Sequence, residues 1–249
     1  MRIQSFVDGV IVKGSHGAWA FPNETRKLFQ VLDRQFLSRD IHFLETSKYL
    51  YEFLSQTSFP ANCLTSIHPS VMYRRVSSSP PANDPLSVLG SFGTGGRLNI
   101  GGSQASGRMT KLFGSYARKR AALYLSEDPT TARKEYGDYG MPGSTAITYE
   151  VTFQDPNTPL TVIDLEQAVR GLQTYFPALP AIISKDSLGA VYEDVKVVIA
   201  TQLLANWLYI GSPTPPDGIV FESTRNPGFR NYCFFFDNDD ACKKILCFN

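Results

Sequence analysis

The chain has 249 residues, 43% of them apolar and 12% aromatic, which is enough to bury a sizeable core and too apolar for a disordered chain. A formal net charge of +1 removes any global field that would gather nucleic acid or anionic lipid. The 4 cysteines, Cys63, Cys233, Cys242 and Cys247, show neither CxxC spacing nor a nearby histidine pair, so they read as buried, reduced thiols and not as a zinc site.

In chain order, the opening MRIQSFVDGVIVKGSHG lacks the unbroken apolar core of a signal peptide. No stretch reaches the roughly 20 apolar residues needed to cross a bilayer. A cytoplasmic protein is expected, with neither membrane nor nucleic acid as partner, and delivery into a target cell is left open. Leu28, Phe29, Val31, Leu32 and Phe36 recur at helical spacing, and Phe43, Leu44, Leu50 and Phe53 repeat it. Residues 1–65 are therefore expected to form a helical N-terminal appendage, and 66–249 the main domain.

VMYRRV at 71–76 predicts a strand, and SSSPPANDP after it is irregular. GGRLNIGG at 95–102 holds one arginine and one asparagine between two glycine pairs, where backbone must turn sharply or be approached closely. A polar connection follows to residue 120, with the basic run Arg108, Lys111, Arg118, Lys119 and Arg120. Its length without a clear period suggests a lid. AALYLS at 121–126 predicts a strand, and Asp128-Pro129-Thr130 then starts a helix carrying Ala132 and Glu135. ITYEVTF and TVIDL predict two strands, a helix is expected over 194–209, and GIVF and YCFFF give the last two strands. Together these predict an α+β fold on a mixed sheet.

Four segments place polar side chains where packing does not ask for them: Tyr73-Arg74-Arg75, Arg97 with Asn99, Tyr124 with Glu135, and Ser223-Thr224-Arg225 with Asn231. No histidine stands near them to activate a serine, since His16, His42 and His68 all precede the glycine stretch, which argues against a Ser-His hydrolase.

In order and flanks, the pieces YRRV, GGRLNIGG, ALYLSEDPTTARKE and DGIVFESTRNPGFRNYCFFF resemble the RES-domain family of toxins and effectors that act on NAD. The resemblance runs from Val71 to Phe236. It implies a largely antiparallel twisted sheet with flanking helices, similar to the ADP-ribosyltransferase-like fold. It places the family's arginines on Arg75 (or its neighbour Arg74) and Arg97, its tyrosine on Tyr124, its glutamate on Glu135 and its serine on Ser223. Glu135, Arg75, Tyr124 and Ser223 are then expected to carry catalysis, and Arg97, Asn99, Arg74, Gly96, Arg225 and Asn231 to bind substrate. Leu98 stands where the family usually carries an aromatic residue.

These residue types suit NAD, which would be substrate here, with no resident cofactor or metal. Guanidinium groups pair with phosphate oxygens, glycine backbone adds N–H donors, and a carboxylate stabilises the cationic ribose that forms as nicotinamide leaves. The expected reaction is NAD glycohydrolysis or phosphorolysis, the latter with inorganic phosphate as partner. An ADP-ribosyltransferase using the basic run to dock a protein target is one alternative, and a non-catalytic binding module is another. The resemblance also implies a cognate antitoxin or immunity protein covering the NAD cleft.

Overall fold

Period-two alternation sets the centre of the molecule. In strand β3 (Ala121–Ser126) both faces are covered, so the alternation is between two kinds of neighbour. Ala121, Leu123 and Leu125 join the hydrophobic core, whereas Tyr124 and Ser126 point the other way. The structure is a computed structural model describing residues 59–68, 71–78, 84–89, 96, 98–99, 121–137, 145–173 and 195–248. The expected helices near 25–36 and 43–53, Arg97 and the basic run lie outside the described residues.

Eight strands form one sheet in the order β1-β5-β6-β7-β3-β2-β4-β8. The others are β1 (Leu64–Ile67), β2 (Met72–Ser77), β4 (Ala146–Phe153), β5 (Leu160–Asp164), β6 (Gly218–Glu222), β7 (Arg230–Phe236) and β8 (Leu246–Phe248). Every neighbouring pair is antiparallel except β5 with β6. The parallel pair needs a long crossover, which includes helices α2 (Leu165–Gln173) and α3 (Val195–Gly211). With α1 (Pro129–Gly137) and α4 (Asp239–Ile245), the architecture is α+β on a mixed, largely antiparallel sheet. β1 runs across residue 65, so the sheet begins on the N-terminal side of the boundary expected there.

One sheet face carries the core formed by Met72, Leu123, Leu125, Val151, Val220 and Phe234 with their neighbours. The segment 84–89 and α4 close it. Asp239 accepts from the Val88 amide at 2.7 Å and from Ser87 Oγ at 3.2 Å, and Lys243 pairs with Asp84 at 2.6 Å. The other face receives α1, which packs on β2, β3 and β4, and α3, whose Tyr209 meets Phe235 edge-on at 5.2 Å. Among the described residues no helix is long and apolar enough to cross a membrane.

Capping explains the helices the sequence marks and those it hides. At α1, Asp128 takes the Ala132 amide on its carbonyl and the Thr131 amide on its side chain at 2.7 Å, as the Asp-Pro-Thr signal predicts. α2 and α4 are short and were not expected. Asp164 caps α2 through the Gln167 amide, and Asn238 caps α4 through the Ala241 amide. Cys63, Cys233 and Cys242 are buried as expected, but Cys247 is exposed. It sits in the middle of the short edge strand β8, where it meets only the β4 side of the sheet, with its Sγ 2.9 Å from Thr152 Oγ1.

Candidate active site

The register of the central strands turns their outward side chains to one face. Tyr124 lies opposite Cys233, Ser126 opposite Asn231, Phe221 opposite Asn231 and Tyr73 opposite Ser126. Residues paired across a ladder share a face, so Tyr73, Ser126, Asn231 and Phe221 meet there, with Arg75 and Tyr124 two residues further along β2 and back along β3. Helix α1 lies over this face and adds Ala132, Glu135 and Tyr136. Together with Gly96 these side chains line a cavity of about 280 Å³.

Two neighbouring donors anchor Glu135. Its Oε1 accepts from Ser223 Oγ at 2.7 Å and from Asn231 Nδ2 at 2.8 Å. Ser126 Oγ donates to Asn231 Oδ1 at 2.6 Å, which fixes the amide with its NH₂ toward the carboxylate. Ser223 is fully buried, and its oxygen also accepts from the amides of Arg225 and Asn226, at 3.2 and 3.0 Å. Its proton goes to Glu135 and its lone pairs face the backbone, so it orients the carboxylate and is not presented as a nucleophile. The loop after β6 is tied again to α1 by Asn226, which donates to Thr131 Oγ1 at 2.7 Å and accepts from Lys134 at 2.8 Å. Gly228 closes this loop with φ 92°, a conformation that suits glycine.

Gly96 and Asn99 face each other as an isolated antiparallel bridge. The Gly96 amide donates to Asn99 O at 2.9 Å, and the Asn99 amide donates to Gly96 O at 3.4 Å. Tyr124 holds one side of this turn, its hydroxyl accepting from the Leu98 amide and donating to Asn99 Oδ1, both at 2.9 Å. A Cβ on Gly96 would stand 2.7 Å from both the Tyr124 hydroxyl and Asn99 Oδ1. Absence of a side chain at 96 is therefore a requirement of close approach, which answers for one of the glycines around the arginine.

The neighbouring arginines of β2 are separated by the pleat. Arg75 donates to Thr148 Oγ1 at 2.8 Å, lies 5.8 Å from the centre of the Tyr136 ring and faces the cavity. Arg74 also touches the cavity wall, but its guanidinium donates to the carbonyls of Pro85 and Ser87 beneath segment 84–89. Burial lowers its pKa to about 10, against the opposing influence of Cys242, Asp84 and Asp239. Of the two positions left open for the family's first arginine, the geometry offers Arg75 to a ligand and commits Arg74 to the fold.

Arg75, Tyr124, Glu135, Gly96 and Asn231 thus share one cavity, and Ser223 stands one hydrogen bond behind it. Asn99 is buried in the turn and Arg225 is half-buried in the loop capped by Ser223; neither lines the cavity. Sequence reading missed Ser126, Tyr136, Thr148, Asn226 and Gln202. Ser126 and Tyr136 were legible in principle, two residues from Tyr124 and one from Glu135. Gln202 also carried a signal, because Gln202 and Asn206 are amides four residues apart in the otherwise apolar VIATQLLANWLYIG. Gln202 Nε2 donates to Gly96 O at 2.6 Å and to Asn99 O at 3.0 Å.

A family model described as RES domain matches residues 72–247, a span containing every side chain of this cavity. No curated protein matches the chain.

Proposed function

Because the chain belongs to the RES-domain family, which is associated with NAD-acting enzymes, we propose that it consumes NAD by breaking the bond between nicotinamide and ribose. Water or inorganic phosphate is the acceptor, making the protein an NAD glycohydrolase or phosphorylase of toxin or effector type. The observation that carries this reading is the anchored Glu135 facing a cavity it shares with Arg75 and the rings of Tyr73, Tyr124, Tyr136 and Phe221.

In the proposed reaction the C1′–N bond breaks heterolytically and both electrons go to the nicotinamide nitrogen, which leaves neutral. The ribose carries the positive charge as an oxocarbenium-like centre. Glu135 stabilises that charge, and the two donors on its Oε1 hold the carboxylate in place while the charge develops. Oxygen of the acceptor then bonds to C1′ and releases its proton to solvent. Arg75 supplies a positive group for phosphate, and its contacts with Thr148 and Tyr136 restrict the side chain before substrate arrives. The aromatic rings supply flat walls for nicotinamide.

Mass spectrometry of products from purified full-length protein and NAD tests the proposal. Free nicotinamide with ADP-ribose supports hydrolysis, and nicotinamide with phosphorylated ADP-ribose, formed only when phosphate is present, supports phosphorolysis. Label from NAD retained on protein would redirect the reading to ADP-ribosyl transfer. No nicotinamide release at high enzyme concentration, with or without phosphate, refutes it.

A further inference from the structure

Helix α3 carries a residue with no place in the scheme above. Gln202 is 0% exposed and lies in an apolar helix, where an amide side chain is costly unless its hydrogens are used. Its Nε2 donates to the carbonyls of Gly96 and Asn99 that close the turn at 96–99. Gln202 does not line the cavity and reaches the turn from the buried side, whereas Tyr124, which does line it, holds the Leu98 amide and Asn99 side chain. The turn is therefore fixed at four points, two of them on carbonyl oxygens. With those oxygens committed to Gln202, the negative ends of two peptide dipoles have partners in the core, which favours an anionic ligand near the turn.

We propose that Gln202 is a positioning residue that presets the Gly96–Asn99 turn for the phosphate-bearing part of the substrate, the group that Arg97 in the same sequence stretch is expected to meet, without itself touching substrate. This rests on the NAD-consuming reading given above. A residue with this role contributes to binding more than to the bond-breaking step, because the ordering of the turn is completed before the ligand arrives.

The experiment is a double-mutant cycle of Gln202→Met, which keeps chain length while removing both donors, with Arg97→Ala. Steady-state nicotinamide release from NAD and calorimetric binding of ADP-ribose are measured for all four proteins. In the Arg97-containing protein, Gln202→Met is expected to raise KM and the ADP-ribose Kd by about tenfold while kcat stays within about threefold. In the Arg97→Ala background the same substitution is expected to change them by less than about twofold. Equal effects in both backgrounds, or no change in KM and Kd, overturn the proposal. If Gln202→Met does not fold, Gln202→Asn, which shortens the reach to the carbonyls, is read by the same criteria. Wild-type protein that binds ADP-ribose without releasing nicotinamide refutes the cleavage reaction alone, and the cycle is then decided on Kd. Wild-type protein that binds no ADP-ribose overturns both.

Discussion

Ser223 Oγ donates to Glu135 Oε1 at 2.7 Å while its own oxygen accepts two backbone amides of the following turn. The serine is thus a fixed strut between a loop after β6 and a carboxylate on α1. Glu135→Gln is expected to lower kcat for nicotinamide release by about 100-fold to 1000-fold, as loss of a preorganised charge does. Ser223→Ala should cost less, and adding it to Glu135→Gln should change kcat by less than about twofold, because the strut then has no carboxylate to hold. Steady-state kinetics of the single and double variants checks this. Additive losses would mean that Ser223 acts independently of Glu135.

Gly96→Ala is expected to abolish most turnover with the sheet intact. The added methyl must displace both the Tyr124 hydroxyl and Asn99 Oδ1, each 2.7 Å away, and moving Tyr124 disturbs the cavity wall. Circular dichroism should match wild type while nicotinamide release falls at least about tenfold. Wild-type kinetics in this variant would show that the turn has room the geometry denies.

The two arginines of β2 should separate in opposite assays. Arg74→Met removes the donor to Pro85 and Ser87 and is expected to destabilise the protein by about 1–3 kcal/mol in urea unfolding. Arg75→Met should leave stability nearly unchanged and instead weaken ADP-ribose binding by tenfold or more, the scale of a lost charge-assisted contact. The reverse pattern would exchange their roles.

Glu166 gives a pH dependence with a definite sign. Burial pushes its carboxyl above the ordinary 4.5, neighbouring Asp164 adds to the rise, and amides including that of Glu222 at 2.7 Å oppose it. A raised folded-state value means that folding favours the protonated form. Its contribution is greatest below the unfolded value and is lost as pH rises through the folded one. Glu166→Gln should therefore gain stability relative to wild type as pH is raised from 4.5, measured as the difference between urea midpoints. A difference that is flat, or that shrinks with rising pH, contradicts the assignment.

Thiol reactivity should follow burial. Burial pushes Cys63 and Cys242 up to about 12, and Cys233 is also buried, so iodoacetamide at neutral pH should label Cys247 in native protein and the other three only after denaturation. Peptide mass spectrometry after timed quenching reads the order directly.

Much of the architecture was legible because it is local. AALYLS, DPTT and YCFFF announce strand, cap and strand through periods and caps that act within a few residues. α2, α4, β1 and β8 were hidden because each is short and depends on a partner that period alone does not reveal. β8 has 3 residues and is held by its ladder with β4. The candidate site divides in the same way. Family resemblance put forward Tyr124, Glu135 and Ser223 as candidates, but the bond between the latter two joins positions 88 apart and follows only from the packing of α1 over the sheet. For Arg74 and Arg75 the alternation within VMYRRV already sends the side chains to opposite faces; which face held the cavity needed the whole sheet. Gln202 was overlooked because apolar spacing draws attention to the residues around it.

The pairing of β3 with β7 is also a seam in time. Of the site residues, Arg75, Tyr124 and Glu135 on one side of it are synthesised before Ser223 and Asn231 on the other. A ribosome that stops early releases a polypeptide with an unbraced acid and a missing central strand. Incomplete products would thus lack the assembled cavity, and only finished copies could carry out the proposed reaction.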